Sequence, residues 1–111
     1  MAEEFVLKII FFSLILVATF LEVVGDVFFK KWSLGESNWI LILGFVIYFI
    51  GTVFWAFSLK YGFLSKAISV LTILNLIAVV LVGVLYFKED LSFINKIGIA
   101  VGVLSIILIE L

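Results

Sequence analysis

Trp39–Leu59 (WILILGFVIYFIGTVFWAFSL) contains no charged side chain from end to end, and Lys60 closes it. Ala67–Phe87 (AISVLTILNLIAVVLVGVLYF) has the same character, with Lys66 before it and Lys88, Glu89 and Asp90 after it. A helix needs about 20 mostly apolar residues to cross about 30 Å of hydrocarbon, and both stretches reach that length. Outward from this pair, Ile9–Leu21 is an apolar run that continues past Glu22 and Asp26 to Phe29 before Lys30 and Lys31 end it. On the other side, Ile97–Ile109 is shorter and spans once Leu91–Lys96 supplies its first turns. The runs are continuous rather than alternating, which argues against the strands of a membrane barrel. The sequence predicts an all-α membrane protein of four transmembrane helices, one domain over residues 1–111, with helices at about 6–29, 39–59, 64–87 and 92–110.

Composition agrees. Of 111 residues, 67% are apolar and 14% charged, against about 45–50% and about 25% in soluble domains. A chain this small could not hide that much apolar surface in water. Cys, His and Pro are all absent, which removes the thiolate and imidazole ligands of most metal sites and the usual nucleophile and general base. The expectation is therefore no metal, no cofactor and no enzyme activity. A net charge of −1 gives no reason to expect nucleic acid as a partner. The leader carries Glu3 and Glu4 rather than basic residues, so the first segment reads as a span and not as a cleaved signal peptide.

Short connections at Ser33–Asn38 and Lys60–Phe63 force successive helices to run antiparallel. Lys8, Lys60 and Lys66 then fall on one side of the membrane, and Lys30, Lys31, Lys88 and Lys96 on the other, with no Arg to tip the balance. Orientation follows the Lys and Arg bias of short loops, so near balance predicts insertion both ways round and pairing of opposed copies as an antiparallel homodimer.

Glu22 is the residue most in need of a reason. It lies three residues beyond the midpoint of Ile9–Phe29, about 4–5 Å along the helix axis. An ionisable group so deep costs about 2.5–3.5 kcal/mol on insertion scales and usually marks a pathway or proton site. Loss of hydration penalises a charged form, and a carboxylate so placed can exchange a proton for a cation. Asp26 and Lys30 follow at intervals of four on the same face. Asp26 either pairs with Lys30 near the surface or shares a cavity with Glu22. Lys66 either snorkels to the interface or turns inward towards Glu22 or Asp26, as a gate or substrate contact. Asn75 is either a helix–helix hydrogen bond or a substrate contact. Tyr48 and Trp55, with Thr52 and Ser58, either line a polar face of the second span or serve packing. Gly98 and Gly102, continued by Ser105, form a small-residue stripe suited to dimer packing.

Four short helices, balanced lysines and a first-helix Glu together resemble the small multidrug resistance family of the drug/metabolite transporter superfamily. Leu21-Glu22-Val23-Val24-Gly25-Asp26-Val27-Phe28-Phe29-Lys30 is similar to its first-helix signature, with Glu22 at the essential carboxylate position. Phe87-Lys88-Glu89-Asp90-Leu91-Ser92 resembles the superfamily's acidic turn before a last helix, and Gly102-Val103-Leu104 falls at the fourth-helix packing motif. The resemblance implies a proton-coupled antiporter in a prokaryotic plasma membrane. It would be an antiparallel homodimer whose two Glu22 carboxylates meet in a central cavity, where protons and a small cationic or amphipathic substrate compete. Where drug and guanidinium exporters of that family carry Trp and Tyr in the third helix, this chain has Leu71 and Ile68. Ile73-Leu74-Asn75-Leu76 and the Gly25–Lys30 spacing resemble the superfamily's flippase subunits instead. That second likeness implies translocation of a polyprenyl-phosphate-linked or other anionic lipid, with Lys66 and Lys30 holding the phosphate.

Overall fold

A computed structural model describes residues 2–111. It is all-helical: α1 is Ala2–Ser33, α2 is Asn38–Ser58, α3 is Leu64–Leu85 and α4 is Phe93–Glu110. All four are long and apolar enough to cross a membrane. α1 extends past the expected 6–29 at both ends. Glu3 and Glu4 in its first turn and Lys30 and Lys31 in its last oppose the helix macrodipole favourably and carry the helix beyond its apolar stretch. Its 32 residues amount to about 48 Å of helix, well over the hydrocarbon thickness.

The connections are built locally. Gly35, at φ 101°, turns the chain out of α1 in a conformation that costs a residue without Cβ little. Ser37 then accepts the Trp39 N–H at 3.2 Å to start α2, and Trp32 Nε1 donates to Asn38 Oδ1 across the loop at 2.9 Å. Ser92 starts α4 in the same way, accepting the Asn95 N–H at 3.1 Å. Within the spans four hydroxyls bond back to their own helix: Thr19 to Ile15, Thr52 to Tyr48, Ser69 to Ser65 and Ser105 to Val101, at 2.7–3.0 Å. A hydroxyl satisfied this way can face hydrocarbon without leaving a bond unmade.

α1 packs most extensively on α2, also contacts α3, and α4 leans on α3. The buried core is Phe11, Ile15 and Ala18 of α1 against Ala67, Val70 and Leu71 of α3. α4 buries no residue. Long apolar side chains face outward all round, among them Phe20, Phe49, Leu81 and Leu104, as suits helices whose solvent is lipid. The molecule measures 51 × 35 × 18 Å, a slab less than two helices thick.

The α1–α2 seam rests on small residues. A Cβ on Gly51 would stand 3.1–3.2 Å from Leu21 Cβ, the Ala18 carbonyl and Glu22 Cγ, and one on Gly44 would stand 2.8–2.9 Å from the Phe29 ring. Close approach of this kind supplies the van der Waals packing that holds membrane helices together. Gly51→Leu is expected to destabilise the fold by about 1–3 kcal/mol through overpacking. It should lower the melting temperature in detergent, whereas Thr52→Leu on the adjoining exposed face should leave it unchanged.

Candidate functional site

Beside the α1–α2 seam lies an open cavity of about 490 Å³. α1 contributes Glu22 and Asp26, α2 contributes Tyr48 and Trp55, and α3 contributes Ile68, Leu71, Thr72, Asn75, Leu76 and Val79. Its volume lies within the range of small-molecule sites, about 300–1,000 Å³. Glu22 is only 6% exposed. Its aliphatic stem lies against Gly51, so the α1–α2 seam fixes the carboxylate at the cavity wall.

Glu22, Asp26, Tyr48, Trp55 and Asn75 thus come together in one place. Asp26 stands one turn beyond Glu22 on the same wall. Tyr48 is positioned by Gly25, whose missing Cβ leaves room for the tyrosine Cβ and ring, and Phe29 packs on it at 6.0 Å between ring centres. Asn75 Oδ1 is buried and without a hydrogen-bond partner. A buried acceptor left unmade costs about 1–3 kcal/mol, so its presence beside a cavity is a mark of something other than stability. The α3 wall is otherwise aliphatic at Ile68 and Leu71, and the aromatic surface comes from α2.

The cationic residues lie elsewhere. Lys66 is half-buried and lines a separate cavity of about 360 Å³ with Glu4, Lys8, Tyr61 and Glu110, at the end of the molecule where the first turns of α1 and the α2–α3 loop meet. It does not line the Glu22 cavity, because at the start of α3 its side chain reaches the polar end of the bundle. Lys30 does not pair with Asp26. Its Nζ lies 3.6 Å from Glu89 Oε2, the one ion pair among the described residues, because both side chains are half-exposed at the opposite end. Lys31 sits over the Tyr86 ring at 5.5 Å. On α4, Gly98 has open space where a Cβ would point and Gly102 faces Ile73 and Leu76 of α3 at 3.9–4.0 Å; neither reaches the cavity. Thr72, which the sequence reading passed over, lines the cavity. It precedes Asn75 by three residues on one helical face, which is the signal that marks it.

The family model described as the EamA-like transporter family matches residues 3–111. The chain belongs to the EamA-like transporter family. No curated protein and no solved structure gives a significant match. Membership makes the chain a membrane transporter of the drug/metabolite transporter superfamily rather than an enzyme. With four apolar helices of spanning length, this transporter is an integral membrane protein. Its cavity presents carboxylates, a phenol, a hydroxyl and an amide on an otherwise apolar lining, a set whose chemistry suits a proton or a cation and offers an anion no opposite charge.

If Asn75 is kept for the cavity and not for the fold, Asn75→Leu should leave the melting temperature unchanged or raised, since it removes an unmade hydrogen bond while keeping the volume. A melting curve of the purified variant checks this; a fall of several degrees would show that the amide holds helices together.

Proposed function

We propose that this transporter is a proton-coupled antiporter of the small multidrug resistance type, exporting a small cationic or amphipathic compound by alternating access around Glu22. The observation that carries the reading is the buried Glu22 carboxylate on the wall of an open cavity that no lysine lines. A proton and a cationic substrate cannot both neutralise one carboxylate, so binding of either displaces the other. Asp26 shares that wall as a second acidic group, while Tyr48, Trp55 and Asn75 supply orientation and shape. Trp55 and Tyr48 replace, from α2, the aromatic surface that α3 lacks, and can meet a cation face-on.

The functional unit we propose is an antiparallel homodimer in a prokaryotic plasma membrane, embedded in lipid and taking no cofactor. Its support is the balance of lysines between the two ends and the state of α4, which buries nothing within the subunit and leaves Gly98 open. Two opposed copies would close the single-layer slab and enclose the cavity, exposing it to one side at a time. The flippase reading has less support. Lys8 and Lys30 are 22 positions apart on α1, about 33 Å, and Lys66 shares the Lys8 end. Lys66 and Lys30 of one subunit cannot hold one phosphate together.

In proteoliposomes under a pH gradient, the wild type should give transport currents with some member of a panel of quaternary ammonium, guanidinium and polyamine compounds. Glu22→Gln should abolish them while the protein remains folded by gel filtration; coupling retained in Glu22→Gln would overturn the reading. A loss greater in Lys66→Ala than in Glu22→Gln would instead favour the anionic-lipid alternative.

Gly98→Leu is expected to reduce the dimer fraction seen by chemical crosslinking and light scattering, with helix content by circular dichroism unchanged. An undiminished dimer would place the contact elsewhere than this stripe.

A further inference from the structure

Asp26 lines two cavities. Besides the Glu22 cavity it borders a smaller one, about 120 Å³, whose outer wall includes Lys30, Gly83, Phe87 and Glu89. The Lys30–Glu89 pair stands at its mouth, joining the end of α1 to the turn that follows α3. That turn is shaped to bring Glu89 back. Lys88 adopts φ 59°, a left-handed conformation that a lysine seldom occupies, and the Glu89 N–H donates to the Gly83 carbonyl at 2.9 Å. The Glu89 carboxylate then fills the space over Gly83 where a Cβ would stand. Backbone strain and a missing Cβ both serve to hold one carboxylate against Lys30, and strain of this kind collects at working parts of proteins.

We propose that the Lys30–Glu89 pair is the outer gate of a proton route in which Asp26 is the carrier between the aqueous surface and Glu22. The proposal rests on the proton-coupled reading above. With the pair open, a proton from water binds the Asp26 carboxylate; on transfer to the Glu22 carboxylate, Asp26 returns to its anion and Lys30 and Glu89 keep their charges throughout. The ionisable groups facing Asp26 are Glu22 and Lys30 on its own helix, Tyr48 from α2, and Glu89 beyond α3, whose own contribution at this level is Val79, Val82 and Gly83. No other cation stands between Glu89 and Asp26 in this lining. Because an exposed ion pair is only weakly held, it can open in every cycle, and while closed it separates Asp26 from the bath on the Lys30–Glu89 side. Asp26 is thus a positioning and relay residue here, distinct from the substrate-binding role of Glu22.

The test is proton entry without any substrate, in proteoliposomes that trap a pH-sensitive dye and hold the membrane potential at zero with potassium and valinomycin. Glu89→Gln removes the charge, and Gly83→Ala sets a Cβ against Glu89. Each should speed substrate-free proton entry several-fold over wild type. The exchanged pair Lys30→Glu with Glu89→Lys should bring it back to the wild-type rate, and Asp26→Asn added to Glu89→Gln should remove the excess. Entry unchanged in both Glu89→Gln and Gly83→Ala, or excess entry that persists with Asp26→Asn, overturns the gate. Wild type that moves no protons with any substrate would overturn the coupled-transport reading itself, whereas coupled wild type with tight gate variants would overturn only this proposal.

Discussion

The structure depends on how closely α1 and α2 approach. In water two helices are driven together by burying apolar surface, but in lipid the alternative to a neighbouring helix is an equally apolar acyl chain. What remains is contact, and contact needs backbones near each other. Gly25, Gly44 and Gly51 provide it along one seam. The seam then decides the rest of the site: it presses the stem of Glu22 against α2, leaves room for Tyr48, and thereby sets two acidic groups and two aromatic rings around one space. α3 closes that space through the Ile15, Ala18, Ala67 and Val70 core, and α4 adds nothing buried.

A second regularity separates polar groups that serve the fold from those that serve the cavity. Thr19, Thr52, Ser69 and Ser105 each spend their hydroxyl on a carbonyl of their own helix. They make no demand on a neighbour and could sit anywhere. Asn75 does the reverse: its amide oxygen is buried with no partner. The same contrast holds for charge. Lys31 and Lys60 lie over the rings of Tyr86 and Phe57 and Lys30 lies beside Glu89, at the ends of their helices, while the carboxylates of Glu22 and Asp26 stay inside the span.

The spans were legible from the sequence because hydrocarbon imposes a length and forbids charge, and those two demands leave a mark in every run from Ile9 to Ile109. The spacing of four put Glu22, Asp26 and Lys30 on one face, but it left open whether Asp26 pairs with Lys30 or shares a cavity with Glu22. Helix ends were less legible than the spans, since Ala2–Phe5 and Lys30–Ser33 continue α1 by charge and dipole rather than by hydropathy. The fate of Lys30 could not be read from its neighbours: its partner, Glu89, is distant in the chain and reaches it only through the left-handed turn at Lys88. Lys66 stood at a helix entrance where inward and outward directions look alike in sequence. The core registry that exposes Thr72 and Asn75 to one cavity depends on which face of α3 meets α1, and in sequence only their spacing of three marks that face.

The four residues between α1 and α2, Leu34–Ser37, have a consequence for how the protein is made. A loop that short costs little entropy to close, so the two helices of the seam can meet as soon as the second has left the ribosome, before any part of α3 is in the membrane. The acidic wall of Glu22 and Asp26 thus rests on a seam whose two helices are neighbours in the chain. α4, which leans on α3 and buries nothing, is the helix left with an uncovered flank.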